Sequence, residues 1–178
     1  MRTGMENDVG DSSIKERSLC KNVVRTRTLT LSVPDLELAG QYFEGVLGMV
    51  REDTPLHTPE MEDMWGLDGA KTRTRLLRCD DFLVELVEYI SPRGRPRRED
   101  EHIGDAGIWH FALRFDRSKD LKQTYRDTLC AGHHRYSRPL CLGIGTVVYM
   151  RTDQGFTLEY IYFPGWLSRF LGFGRPRN

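Results

Sequence analysis

The sequence predicts an α+β protein made of two βαβββ modules whose curved mixed sheets face one another around a cleft. Three observations predict it. A strand, a helix and then two or three strands are written twice along the 178 residues. A Pro-, Gly- and charge-rich stretch, Ser91 to Glu101 (SPRGRPRREDE), separates the two runs. The strands of both runs carry polar residues at period two, so each sheet has one apolar and one polar face.

Val23 to Val33 opens the first run, with Leu29, Leu31 and Val33 alternating against Thr28, Thr30 and Ser32. Pro34 ends the strand and Asp35 is placed to cap the next segment. In Leu36 to Val46 the residues Leu38, Tyr42, Phe43 and Val46 fall at helical spacing, and Leu47-Gly48 supplies a stop. After a mixed stretch, Thr72 to Arg78 and Phe82 to Ile90 read as strands joined by a turn at Cys79-Asp80-Asp81. The second run repeats the order. Ile108 to Asp116 is a strand, Ser118 to Leu129 a helix with Leu121, Tyr125 and Leu129 at spacing four, and Ala131 to His134 a turn. Thr146 to Arg151 and Phe156 to Phe163 are strands around the turn Thr152-Asp153-Gln154-Gly155. The expected organisation is a flexible leader (1–22), a first module (23–92), a linker (93–106), a second module (107–163) and an amphipathic tail (164–178).

Lys and Arg number 26 and Asp and Glu 26, so the formal net charge is zero, against a dedicated nucleic-acid binder. No 18-residue apolar run exists, and the leader lacks the apolar core of a secretory signal. Cys20, Cys79, Cys130 and Cys141 are widely spaced with no CxxC pair, so neither a disulfide frame nor a cysteine zinc site is expected. A cytoplasmic protein is the default on those grounds.

Function is legible where polar residues interrupt apolar strands. Glu85 sits between aliphatic residues in Phe82-Leu83-Val84-Glu85-Leu86-Val87, Glu159 likewise before Tyr160-Ile161, and His110 in Ile108-Trp109-His110-Phe111. A buried lone carboxylate costs several kcal/mol or more, so each needs a cation, a hydrogen-bond network or water. Parity puts His110 with Ala112 and Arg114 on one face, leaving Trp109, Phe111, Leu113 and Phe115 for the helix-packed face. The first and last strands of each module thus offer one position each: Thr28 and Glu85, then His110 and Glu159. Corresponding positions of the two modules lie 82 residues apart for Thr28 and His110 and 74 apart for Glu85 and Glu159. One imidazole and two carboxylates converging from facing sheets make an oxygen-rich site for a divalent ion.

Thr28 to Leu36 (TLTLSVPDL), followed by Gln41-Tyr42-Phe43 and Val46-Leu47-Gly48-Met49, resembles the opening strand and helix of the vicinal oxygen chelate superfamily. That superfamily includes glyoxalase I, methylmalonyl-CoA epimerase, extradiol dioxygenases and bleomycin-resistance proteins. Phe82 to Tyr89, Gly107 to Ala112, and Tyr149 to Glu159 resemble the end of its first module and the two ends of its second. The resemblance covers about residues 24 to 163. It implies metal ligation by Glu85, His110 and Glu159, with Thr28 standing where metal-dependent members carry His or Gln. A hydroxyl is a poor ligand beside imidazole, so the fourth place falls to water, substrate or a loop histidine: His57, His102, His133 or His134. Ring-cleaving relatives need two histidines and one carboxylate, so extradiol-type dioxygenase chemistry is a second alternative that requires a loop histidine to join His110.

The function so implied is a metal-dependent lyase, isomerase or epimerase acting on a small oxygenated substrate by metal-stabilised enolate chemistry. Glu85 and Glu159 are the catalytic candidates, Glu85 as base, and the ion is Zn, Ni, Co, Mn or Fe. The alternative is a metal-free binding or resistance protein of the same fold. Thr28, Arg114, Trp65 and Met64 are the candidate substrate contacts. Arg114 can instead pair with one of the site's own glutamates, and the PEMEDMWGL segment can simply pack on the sheet. The basic stretch after Ser91 reads either as a solvated hinge or as a contact for an anionic ligand. Gly143-Ile144-Gly145 carries no nucleotide-binding weight without a following helix. The tail, with Trp166, Leu167, Phe170 and Leu171 at helical spacing, suits docking on the domain itself or on a second subunit. Relatives of this kind are often homodimers, sometimes with modules exchanged between chains.

Overall fold

A computed structural model describes residues 28–53, 66–98, 100–102, 104–141 and 143–170. The expected leader, His57, Met64 and Trp65 therefore lie outside the described residues. β1 (Thr28–Ser32) is stopped by Pro34, and Asp35 takes an extended conformation. Its Oδ1 accepts from Glu37 N at 2.9 Å and Leu38 N at 3.0 Å, capping α1 (Leu36–Gly40). The helix then widens into a π-helical segment (Gln41–Val46), which turns Tyr42 and Phe43 inward together. Leu36, Ala39, Gly40 and Phe43 form the buried stripe, while Leu38 is exposed. Of the four expected inward residues Tyr42, Phe43 and Val46 meet the core, and Leu38 is the exception: it lies about 200° around the helix from buried Leu36, so the two cannot both face inward.

β2 (Val50–Glu52), β3 (Lys71–Cys79) and β4 (Phe82–Ser91) complete a four-stranded sheet of order β1-β4-β3-β2. β1 runs parallel to β4 and the other pairs are antiparallel. A parallel pair needs a long crossover, and α1 with its π-helical extension supplies the start of it. The tight β3–β4 turn places Asp80 at φ 57, a conformation that Asp tolerates better than most side chains.

The second sheet has β5 (His110–Phe115), β9 (Thr157–Tyr162), β8 (Thr146–Arg151) and β6 (His134–Arg135) in that order, with β7 (Leu140–Cys141) also on β8. β5 is parallel to β9, as β1 is to β4. α2 (Ser118–Cys130) joins β5 to the rest. It buries Leu121 and Thr128, with Tyr125 partly buried, whereas Leu129 is exposed. Spacing of four drifts about 80° over eight residues at 3.6 per turn, so Leu129 rotates off the stripe and Thr128 takes its place. A short helix, α3 (Gly165–Phe170), follows β9 and leaves Trp166 and Phe170 exposed.

One apolar core unites the two sheets. Leu77, Val84 and Leu86 of the first sheet and Val148, Met150, Leu158 and Tyr160 of the second belong to a single cluster with Tyr42, Phe43 and Leu121 of the helices. Phe43 lies stacked 6.3 Å from Phe111 and tilted 5.5 Å from Phe156. Burying a ring of that size is worth roughly 1.5–3 kcal/mol. At its centre Tyr42 Oη meets Tyr160 Oη at 2.6 Å, and Tyr160 Oη meets Thr128 Oγ1 at 2.9 Å. Thr128 donates to Thr124 O at 2.7 Å, so it accepts from Tyr160, which in turn accepts from Tyr42. This hydroxyl chain ties the first module's helix to the second module's sheet. Burial pushes both phenols above their ordinary range.

Candidate functional site

Side chains alternate along a strand, so the core fixes where the polar residues go. With Val84 and Leu86 turned into the core, Glu85 lies on the opposite face of the first sheet. Leu158 and Tyr160 likewise send Glu159 to the opposite face of the second. Phe111, Leu113 and Phe115 pack on the core, which leaves His110, Ala112 and Arg114 on the face of Glu159, as parity requires. The ladders make the two halves equivalent. Thr28 pairs with Leu83 and Thr30 with Glu85, just as His110 pairs with Thr157 and Ala112 with Glu159.

In the second sheet the candidates meet. His110 Nε2 lies 3.0 Å from Glu159 Oε2, with the two side chains 29% and 14% exposed. His110 Nδ1 is buried and has no hydrogen-bond partner among the described residues. Tyr149, opposite Glu159 on β8, hydrogen-bonds the same carboxylate, and its ring stands edge-on to His110 at 5.0 Å. Burial, and then the Glu159 charge, push the Tyr149 phenol above its ordinary range. Arg114, on the same face, pairs with Asp116 at 3.2 Å.

In the first sheet Glu85 accepts a hydrogen bond from Thr30 Oγ1 at 2.8 Å. Thr30, not Thr28, is therefore the neighbour that holds Glu85. The parallel register sets Thr28 two residues away, beside Leu83 and exposed. Glu85 does not join His110 and Glu159 within one chain. Among the described residues no group of three or more His, Cys, Asp or Glu converges on a metal position. The space between the sheets holds the helices and core, so the polar face of each sheet turns away from it.

Among the described residues the loop histidines His102, His133 and His134 do not fill the gap. His102 faces Asp105 at 3.8 Å, and His134 is exposed on β6 opposite Arg151. His133 is buried, with its ring 4.2 Å from Tyr42 and its Nδ1 3.3 Å from Asp153 Oδ1. Burial lowers its pKa, against the opposing pull of Asp153.

The His110–Glu159 pair fits a divalent ion. The 3.0 Å contact is that of a direct imidazole–carboxylate pair, and it is also the spacing of two ligands each about 2.1 Å from one ion at a right angle. Thr30 and Tyr149 were not singled out from the sequence. Cross-strand pairing is what makes them matter, and only their place at period two hinted at it.

No protein-family model matches the sequence, and no curated protein matches it. Solved structures do match in shape. A glyoxalase family protein from Bacillus cereus superposes with a TM-score of 0.71 over 83% of this chain and all of its own, at 14% identity. A glyoxalase/dioxygenase from Nostoc punctiforme gives 0.62 over 80% of this chain and 93% of its own, at 16% identity. A fosfomycin resistance protein from Mesorhizobium loti gives 0.55 over 84% and 98%, at 17% identity. The chain has the glyoxalase-like α+β fold. Among the described residues no helix is long and apolar enough to cross a membrane.

Proposed function

We propose that the chain is a metal-dependent enzyme of the glyoxalase-like class, with lyase, isomerase or epimerase chemistry on a small oxygenated substrate. The observation that carries this reading is the His110–Glu159 pair, spaced as two ligands of one ion on the polar face of its sheet. Glu85 holds the equivalent position in the other sheet, on a face that the same chain does not bring to the pair. The reading therefore takes a homodimer, in which Glu85 of the partner subunit completes each site. When bound, a divalent ion supplies Lewis-acid polarisation of substrate oxygens.

The chain's own residues divide the remaining work. Glu159 is held from two sides, by His110 and Tyr149, and acts as a fixed anchor. Glu85 is held through one oxygen by Thr30, which leaves the other to take a proton from substrate. Arg114, on the face of His110, stands within the same polar surface for a substrate anion.

Metal titration by calorimetry, with sedimentation to fix the oligomer, tests this. One ion per chain is expected in a dimer, with affinity about 10–100-fold weaker in Glu159→Gln and Glu85→Gln and lost in His110→Ala. Absence of binding at saturating Zn, Ni, Co, Mn and Fe refutes the metal reading. Tight binding to a monomer that ignores Glu85→Gln refutes the shared site. A second reading, a metal-free small-molecule binder, is favoured by one observation. Both carboxylates already hold hydrogen bonds, Glu85 from Thr30 and Glu159 from Tyr149.

A further inference from the structure

The linker that carries the chain from the first sheet to the second is built as basic as it reads. Together with the β8–β9 turn and the end of β1 it lines an open cavity of about 530 Å³. Arg93, Arg95, Arg97 and Arg151 line it, facing one carboxylate, Asp153. Asp153 lies against buried His133, and Arg97 pairs with Glu101 at 3.2 Å. Among the described residues Arg93, Arg95 and Arg151 have no ion pair.

The wall is also rich in donors. Gln154, largely buried, accepts the Asp35 backbone N–H through Oε1 at 3.2 Å. What its amide has left to offer is therefore N–H. Pro92 and Pro96 restrain the linker backbone, and Arg95 is held toward extended geometry because a proline follows it. The stem of Arg97 rests on the turn, where a Cβ built on Gly155 would be 3.5 Å from Arg97 Cβ. The guanidiniums thus issue from a tethered loop.

We propose that this cavity binds a small phosphorylated anion of the diphosphate class, held by Arg93, Arg95 and Arg151 with Arg97 and the Gln154 amide at its sides. Guanidinium forks match phosphoryl oxygens two at a time, and several in one concave wall suit an anion carrying more than one phosphoryl group. The volume is within the range of about 300–1,000 Å³ typical of small-molecule sites. The chain's net charge of zero argues for such a ligand over a nucleic acid. The site does not include Glu85, His110 or Glu159, and it does not rest on the metal reading.

The experiment is calorimetry of the full chain with inorganic pyrophosphate, in EDTA and 150 mM salt. Saturable binding at one site per chain is expected, about tenfold weaker in Arg95→Ala and in Arg151→Ala and weaker still in the pair. Arg95→Lys and Arg151→Lys, which keep the charge and lose the fork, should fall between. Arg126→Ala, on α2 beside Gln123, should bind as the parent does. Pyrophosphate should also raise the melting temperature of the parent and not of the double variant. Absence of saturable binding, or equal losses in Arg126→Ala, overturns the proposal. So does a single-stranded oligonucleotide that binds more tightly than pyrophosphate, since it would show a nucleic-acid surface. Glu159→Gln should leave pyrophosphate affinity unchanged, which keeps this test separate from that of the metal site.

Discussion

Gly40 gives the sharpest test of how the first module is packed. Its φ of −59 and ψ of −45 are helical values that any residue adopts, so backbone freedom does not explain it. Space does. A Cβ there would be 1.6 Å from Arg75 Nη1 and 2.6 Å from Arg75 Cζ. Carbon and nitrogen need about 3.5 Å, so Gly40→Ala must drive the guanidinium off by about 2 Å. Arg75 has little room to retreat: its side chain is 8% exposed, donating to Glu44 at 2.9 Å and Glu37 at 2.7 Å.

Breaking the bond to Glu44 costs about 1.5–2 kcal/mol, the lower part of the charge-assisted range, because Glu44 is itself a third exposed. Leaving a buried guanidinium poorly paired adds about 1 kcal/mol. Alanine returns about 1 kcal/mol through its better helix propensity. The net expectation is a loss of about 1.5–2 kcal/mol. In an Arg75→Met background the clash is gone and the same substitution should stabilise by about 1 kcal/mol. Urea unfolding of the four proteins, compared at constant m-value, measures both. A stabilising Gly40→Ala in the parent, or an equal cost in both backgrounds, would refute the steric account.

The buried hydroxyl chain makes an asymmetric prediction. Tyr160→Phe removes the acceptor of Tyr42 and strands a buried O–H, so it should cost about 2–3 kcal/mol, whereas Tyr42→Phe should cost about 1 kcal/mol. The double variant should lose less than the sum; additive costs in urea unfolding would contradict the hydroxyl contact, and equal single-variant costs would contradict the donor order. His133 sets a pH dependence. Burial holds its folded pKa below the unfolded value near 6.5, so the unfolded chain binds the proton first. Stability is complete above about pH 6.5 and declines as pH falls toward the folded pKa. Asp153 limits the effect and His134 reinforces it. His133→Phe should flatten the decline between pH 7.5 and 5, and an unchanged slope in urea unfolding would assign it to other groups.

Strand parity was readable from the sequence because alternation is local: one apolar neighbour on each side is enough to send Glu85, His110 and Glu159 to the polar face. Asp35 as a cap and the repeated order of elements are local in the same sense. Helix stripes were less secure, since Leu38 or Leu36, and Leu129 or Thr128, were settled by which face met the sheets. Thr128 reads as polar until Tyr160 and Thr124 O are seen to take its hydroxyl. The register that gives Glu85 to Thr30, the Tyr149 hydrogen bond to Glu159 and the burial of Arg75 beneath Gly40 depend on contacts between distant segments. Tertiary structure alone decided that the helices fill the space between the sheets, which sets Glu85 apart from His110 and Glu159. It also decided that four arginines share one cavity. Local chemistry assigns a side chain its face; only the packing of elements far apart in the chain assigns it a neighbour.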